Sequence, residues 1–320
     1  MASELALRAS FVTLPALISQ AGERTAWRFL EFFTVNIRNA NTRAAYTRSA
    51  TRFLRWCEER GISELVDIKP MHVASYIEQL QGERSAPTVK QHLACLRMLF
   101  DWLVTGQVLP TNPAHSVRGP RHSVSKGATA VISSIEAREL LDSMNAKTIV
   151  GLRDRAIVAV MAFTFARVSA VVALKVEDYY PQKKRWWLRL REKNGKVNEM
   201  PCHHHLENYL DAYIAAAAIK SDRKEPLFRA ALGRTGELST RPLGRTDVWY
   251  MVRRRAADAK IETAIGCHTF RATGITDYLT NGGKLEIAQR MAGHSNAKTT
   301  GLYDRRDDDI SLSEVERIGI

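Results

Sequence analysis

Four separated segments of this 320-residue chain carry side chains suited to chemistry on an anionic ester. The first is Thr164-Phe165-Ala166-Arg167-Val168-Ser169-Ala170, where a helical pattern ends. The second is Lys193-Asn194-Gly195-Lys196. The third is Cys267-His268-Thr269-Phe270-Arg271, and the fourth is Met291-Ala292-Gly293-His294, with Tyr303 nine residues beyond His294. Attack on a phosphodiester gathers negative charge on the nonbridging oxygens. A guanidinium fork binds two such oxygens at once and stays charged at every relevant pH. A phenol has a pKa of roughly 10, so as a nucleophile it needs a base and nearby positive charge. Taken singly, each of these residues has an ordinary structural use, as an ion-pair partner, a core histidine, a packing aromatic or a turn lysine. Their order and spacing together are what point to a shared task.

The elements that must position these groups follow from periodicity. The first part of the chain reads as all-helical. Asn41 is the expected cap of a helix running to about Arg60 and ended by Gly61, with Ala50, Phe53, Leu54 and Cys57 on its apolar face. A second helix is expected from about Pro87 to Thr105, with Leu93, Leu96, Phe100 and Leu103 as a core-facing seam. Shorter helices are expected near 25–37 and 71–81. Between Asn112 and Thr129 the period is lost to Pro113, Gly119, Pro120 and Gly127, which predicts a positively charged linker. Helical pattern returns over Glu136–Met144 and Leu152–Phe163. Arg185–Arg191 alternates, with Trp186, Leu188 and Leu190 on one side, as a strand does, and Asn194-Gly195 follows as a hairpin turn. From Leu206 onward the pattern is mainly helical.

Composition narrows the class. A net charge of +13 and a sequence pI of about 9.8 favour a polyanionic partner, DNA being the densest common one. Arg48, Arg52 and Arg55 share one face of the first long helix. With Arg43, Lys90, Arg97, Arg118 and Arg121 they are the expected contacts to a phosphate backbone; a solvated basic face is the other use of such residues. Cys57, Cys95, Cys202 and Cys267 form no CxxC pair, which predicts a reducing compartment and no disulfide framework. Cys202 stands before His203, His204 and His205, but consecutive residues cannot all turn to one metal and no second half-site appears. The most apolar run, Ala156 to Phe165, is too short to span a bilayer. The expectation is a soluble, cytoplasmic protein that needs no metal, no cofactor and, lacking a GxxxxGK[ST] loop, no ATP.

The third and fourth segments, read in full as HTFRATGITDYLTNGG and MAGHSNAKTTGLY, resemble the tyrosine recombinases, the family of phage integrases and the Cre and Xer recombinases. The stretches NTRAAYTRSATRFLRWCEERG and APTVKQHLACLRMLFDWLV resemble that family's core-binding helices, so the resemblance covers most of the chain. It implies an all-α, SAM-like core-binding domain over residues 1–118, a linker over 119–130, and a mainly α, α+β catalytic domain with a small antiparallel sheet over 131–320, together forming a C-shaped DNA clamp. It implies that Arg167, Lys193, His268, Arg271 and His294 surround a scissile phosphate that Tyr303 attacks. In that scheme His268 takes the phenolic proton, His294 donates to a nonbridging oxygen, and the hairpin lysine protonates the 5′ leaving oxygen. Lys193 stands at the family's offset, eight residues before Pro201, and Lys196 is its rival. The implied product is a 3′-phosphotyrosine linkage, whose stored bond energy allows rejoining without ATP. The implied assembly is a dimer on an inverted-repeat duplex site and a tetramer on two sites, exchanging strands through a Holliday junction.

Two positions depart from the family pattern. Phe165 stands where a glycine is usual, and Ala170 where a carboxylate usually orients neighbouring catalytic groups. After Tyr303, Leu312, Val315 and Ile318 repeat at three, a tail that in the family docks on a neighbouring subunit and that otherwise reads as a frayed terminus. Three other functions fit parts of the pattern: a topoisomerase-like nicking and closing enzyme, a DNA-binding protein that has lost catalysis, and a basic enzyme of small-molecule metabolism.

Overall fold

The computed structural model describes residues 14–123, 127, 129–192, 195–233, 235–304 and 316. Lys193, Asn194 and the tail positions Leu312, Val315 and Ile318 lie outside the described residues. The chain divides into two compact units, Met1–Ser123 and Val124–Ile320.

The first unit is helical: α1 Ala16–Ser19, α2 Glu23–Glu31, a π turn Phe32–Asn36, α3 Ala40–Glu58, α4 Pro70–Glu83 and α5 Ala86–Thr105. α3 is capped by Asn39 rather than Asn41. The Asn39 Oδ1 accepts from the backbone N–H groups of Asn41 and Thr42 at 3.0 and 3.1 Å, satisfying two donors that a helix start leaves open. The core forms where α3 meets α5. Phe53 lies edge-on to Tyr76 of α4, at 5.1 Å, and to Phe100 of α5, at 6.0 Å. Each such ring contributes about 1.5–3 kcal/mol by burial. The buried Tyr76 hydroxyl and His92 Nδ1 share a hydrogen bond at 2.9 Å, so two polar groups in this core satisfy each other.

The second unit runs α6 Ser134–Ser143, α7 Ile149–Thr164, α8 Val168–Val172, β1 Tyr179–Gln182, β2 Arg185–Arg191, β3 Val197–Pro201, α9 His204–Ala217, β4 Arg229–Ala231, β5 Leu238–Pro242, α10 Arg245–Asp258, α11 Cys267–Thr280, α12 Leu285–Met291 and α13 Ala297–Gly301. α7 is apolar all round because it is central: it packs against both α9 and α11, and every residue from Ala156 to Met161 is buried. Its one carboxylate, Asp154, accepts from Arg255 of α10 at 2.7 and 3.1 Å and from Arg153 at 2.7 Å, which pairs a charge that could not be buried alone.

β1, β2 and β3 form an antiparallel sheet with β2 central. Leu188 pairs with Tyr179 on one side and Met200 on the other, and Leu188 and Leu190 face the core as the alternation of β2 requires. A second antiparallel pair, β4 with β5, interrupts the region after Leu206 that the sequence predicts as mainly helical. Its strands, Arg229–Ala231 and Leu238–Pro242, are too short to leave a period-2 signal. Among the described residues no helix is long and apolar enough to cross a membrane, and no group of three or more His, Cys, Asp or Glu side chains is arranged to hold a metal ion. His203 instead caps α9 and stacks on Phe163 at 4.6 Å.

Candidate active site

The site is assembled at helix ends. α7 stops at Phe165, whose φ of 56° and ψ of 22° put it in the left-handed region. That conformation explains why a glycine serves well at this position: a side chain there costs energy unless packing compensates. Here the ring compensates by burial. Phe165 lies edge-on to Tyr278 at 6.1 Å and covers Gly274 of α11, where a Cβ would stand 2.9 Å from the Phe165 ring and 2.1 Å from the Ala162 carbonyl oxygen. The turn at Phe165 aims its own carbonyl at Arg271 and starts α8 with Arg167 as the N-cap residue.

Arg271 lies one helical turn beyond His268 on α11, so both reach the same side. It is 1% exposed. Its Nη1 donates to the Phe165 carbonyl, and its Nη2 donates to the Ala292 carbonyl at 2.6 Å and to His294 Nε2 at 2.5 Å. Its Nε is buried with no hydrogen-bond partner among the described residues, and the guanidinium also interacts with the Tyr303 side chain. Burial, and then the charge of Arg167, lower the Arg271 pKa to about 10, against the upward pull of Tyr303 and Glu192.

His294 follows α12 through Gly293, whose φ of 61° turns the chain back. α13, capped by Asn296, then carries Thr300 under the imidazole, and Tyr303 emerges beyond it. The nine-residue spacing between histidine and tyrosine is thus spanned by the Asn296 cap and one short helix. Because Arg271 can only donate, His294 Nε2 accepts, and its Nδ1–H donates to Thr300 Oγ1 at 2.9 Å. Burial first, then Arg271 and Arg167, hold the His294 pKa down at about 4, so the ring is neutral at physiological pH.

Tyr303 is 8% exposed. Its ring stacks parallel to His294, with centroids 5.9 Å apart, and its hydroxyl meets His268 Nε2 at 3.2 Å. Desolvation, then the charges of Arg271 and Arg167, lower the His268 pKa, which keeps the imidazole in the form that accepts a proton. His268 and Arg167 line one groove of about 650 Å³ with Ser169, Arg245 and Trp249. Arg167 also donates from Nη1 to Glu192 Oε2 at 2.6 Å.

Five of the six residues expected at the site therefore converge, and the sixth, Lys193, lies outside the described residues. Lys196 is exposed beyond the turn. The sequence reading missed Glu192, Thr300 and the Phe165 and Ala292 carbonyls. Two of these act through the backbone and leave no residue-type signal. Thr300 and Glu192 could have been found only from their nearness in sequence to Tyr303 and Lys193.

The basic residues expected on DNA separate into two groups. Arg48 and Arg55 are exposed and line a concavity of about 510 Å³ with Arg52 and Trp56. Lys90, Arg118 and Arg121 are exposed as well. Arg43 and Arg97 instead hold backbone: Arg43 Nε donates to the Ile37 carbonyl at 3.1 Å, and Arg97 donates to the carbonyls of Ala114 and Val117. Arg52 pairs with Glu83.

Residues 131–309, more than half the chain, match the phage integrase family, and residues 27–108 match its N-terminal SAM-like domain. The chain belongs to the phage integrase family. Among the relatives of this integrase, the tyrosine recombinase XerD of Corynebacterium glutamicum is 28% identical over 290 residues, covering 87% of this chain and 91% of the relative. XerD of Chlorobaculum tepidum is 26% identical over 292 residues, covering 89% and 92%. In fold, the integrase is similar to the XerH recombinase bound to palindromic difH in a post-cleavage complex. That match has a TM-score of 0.68 and 18% identity, over 86% of this chain and 79% of that one. It is similar also to a lambda integrase(75–356) dimer bound to a COC′ core site, with a TM-score of 0.67 and 15% identity over 90% and 97% of the two chains.

The two histidines held near pKa 4 give the fold a pH dependence with a definite sign. His294 in the second unit and His92 in the first, the latter lowered to about 4 by burial and then by Arg52 and Arg84, are neutral when folded and regain an ordinary pKa near 6.5 when unfolded. Below about pH 6.5 the unfolded chain binds more protons, so stability is fully present above that value and is lost as pH falls toward 4. Each histidine is expected to remove about 2 kcal/mol between about pH 7 and about pH 5. Thermal melts across that range check this; a His294→Gln variant with an undiminished slope would exclude His294 as a source.

Proposed function

We propose that this integrase is a site-specific recombinase that cuts and rejoins duplex DNA through a covalent bond between Tyr303 and a 3′ phosphate. The observation that carries the reading is the Tyr303 hydroxyl resting 3.2 Å from the neutral imidazole of His268, with the Nε donor of the buried Arg271 on the same helix face. His268 Nε2 accepts the phenolic proton while the phenolic oxygen attacks phosphorus. The remaining donors of Arg167 and the Nε of Arg271 receive the charge gathering on the nonbridging oxygens. His294 donates to one of them from its other tautomer, in which the Nδ1 proton has been lost to solvent and one gained from solvent at Nε2, the Thr300 hydroxyl then donates to Nδ1, and Arg271 Nη2 turns from Nε2 to the phosphate. The P–O5′ bond breaks, and Lys193 protonates the departing 5′ oxygen. Attack by a 5′ hydroxyl on the phosphotyrosine runs these steps backward and reseals the strand.

In this reading residues 1–118 bind the core site and 131–320 hold the chemistry, with 119–130 joining them. The break between compact units at Ser123 supports that division. Arg48, Arg55, Lys90, Arg118 and Arg121 contact phosphates, whereas Arg43 and Arg97 shape loops beside them. A dimer occupies an inverted-repeat site, a tetramer joins two sites and a Holliday junction lies between them. The similarity in fold to a lambda integrase tetramer bound to a Holliday junction, with a TM-score of 0.65, supports this assembly. The reading carries with it work in the cytoplasm. The test is a plasmid bearing two copies of the footprinted site. Recombined circles are the expected product; relaxed plasmid without exchange would mean a nicking and closing enzyme instead.

A further inference from the structure

Glu192 lies one residue past the end of β2, and its side chain is only 5% exposed. Its Oε2 accepts from Arg167 Nη1 at 2.6 Å. Its backbone N–H donates to the Lys196 carbonyl at 2.7 Å, closing the turn end of the β2–β3 hairpin. Its Cγ stands 3.9 Å from where a Cβ on Gly293 would be. Three segments of the site therefore meet at this carboxylate: the start of α8, the hairpin, and the Gly293-His294 bend.

A carboxylate taken out of water needs a partner, because the effective penalty is several kcal/mol per unpaired ion. Glu192 finds one in Arg167, whose side chain keeps 36% of its surface open toward the groove. The guanidinium is thus gripped at one nitrogen, and among the described residues its other donors hold no side-chain or backbone acceptor. Position 170, three residues past Arg167, offers no such grip: Ala170 is a methyl group in the apolar core beside Val171 and Leu174. Two guanidinium groups also converge here, and each disfavours the other's charge. The Arg271 pKa is lowered by Arg167 and raised by Glu192, after the larger effect of burial.

We propose that Glu192 is a positioning residue for strand cleavage, supplying from the hairpin the carboxylate that orients Arg167 and that is missing at position 170. The inference rests on Arg167 and Tyr303 acting as described under the proposed function. Locking one edge of the fork removes rotamer freedom before the phosphate arrives, so less is lost on forming the transition state.

The test is a set of single-turnover cleavage rates on a suicide duplex for the wild type, E192Q, E192D, R167A and R167A/E192Q. Glutamine keeps the shape of Glu192 and removes its charge. E192Q is expected to cleave about 10-fold more slowly or worse, with unchanged duplex affinity, and E192D to fall between it and the wild type. In the R167A background the second change is expected to cost nothing further, because a residue acting through Arg167 has nothing left to orient. Melting curves establish that each variant is folded, and E192D carries the comparison if E192Q is not. An E192Q rate equal to wild type, or losses that multiply in the double variant, would overturn the inference while leaving the Tyr303 reading intact. A wild-type protein that forms no adduct at all overturns both.

Discussion

Tyr303→Phe forms no covalent adduct with DNA, yet folds and binds the duplex as the wild type does. The substitution removes one oxygen and nothing else. The ring keeps its parallel stack on His294 at 5.9 Å and its place in the small core with Phe165, Ala272, Ile275 and Leu279. The lost contacts are the hydrogen bond to His268, a residue open to solvent on its other side, and the phenol's interaction with Arg271; water takes the place of the phenol and the change in stability stays near about 1 kcal/mol. The chemistry has no such substitute, since phenylalanine has no atom with which to attack phosphorus. A denaturing gel with a suicide duplex reads the adduct, and a gel shift reads affinity. Adduct persisting in the variant would assign the nucleophile to another residue.

Arg271→Ala is expected to slow single-turnover cleavage by at least about 10²-fold, the effect of removing one preorganised stabiliser of developing charge. The residue also holds its surroundings. Its terminal nitrogens donate to the carbonyls of Phe165 and Ala292 and to His294. Alanine leaves these buried acceptors without a donor, at about 1–3 kcal/mol each. The melting temperature of the second unit therefore falls as well. Arg271→Lys separates the two effects. Lysine keeps the positive charge, but it is a single point of donors and cannot serve two carbonyls, an imidazole and a phosphate oxygen from one planar group. It is expected to recover part of the stability and little of the rate. A folded Arg271→Lys or Arg271→Ala protein cutting at the wild-type rate would remove this arginine from the site.

The legible and illegible parts of this molecule divide along physical lines. Long amphipathic helices announce themselves, because three-and-four spacing is repeated over many residues: Leu93, Leu96, Phe100 and Leu103 all lie in the core that the period predicts. The β2 strand was legible for the same reason, with Leu188 and Leu190 inward. β4 and β5 were not, since strands of three and five residues are too short to carry a period. At the site, side chains with unusual chemistry and fixed spacing were legible, namely His268, Arg271, His294 and Tyr303. What could not be read were groups whose role depends on what lies opposite. The Phe165 carbonyl faces Arg271 only because a helix ends there in the left-handed region. Arg43 and Arg97 look like any exposed arginine in the sequence, yet nearby carbonyls occupy their guanidinium groups. Ala170 reads as a deficit in the sequence, while Glu192, distant from it along the chain, brings a carboxylate to the same arginine.

Mass spectrometry of the trapped covalent complex tests the central claim most directly. Trypsin releases residues 299–305 as a peptide in which Tyr303 is the sole tyrosine. That peptide is expected to carry the mass of a 3′-phosphoryl nucleotide, with fragmentation placing it on the phenolic oxygen. The nucleotide found on any other peptide, or a cut strand with no protein attached, would contradict it.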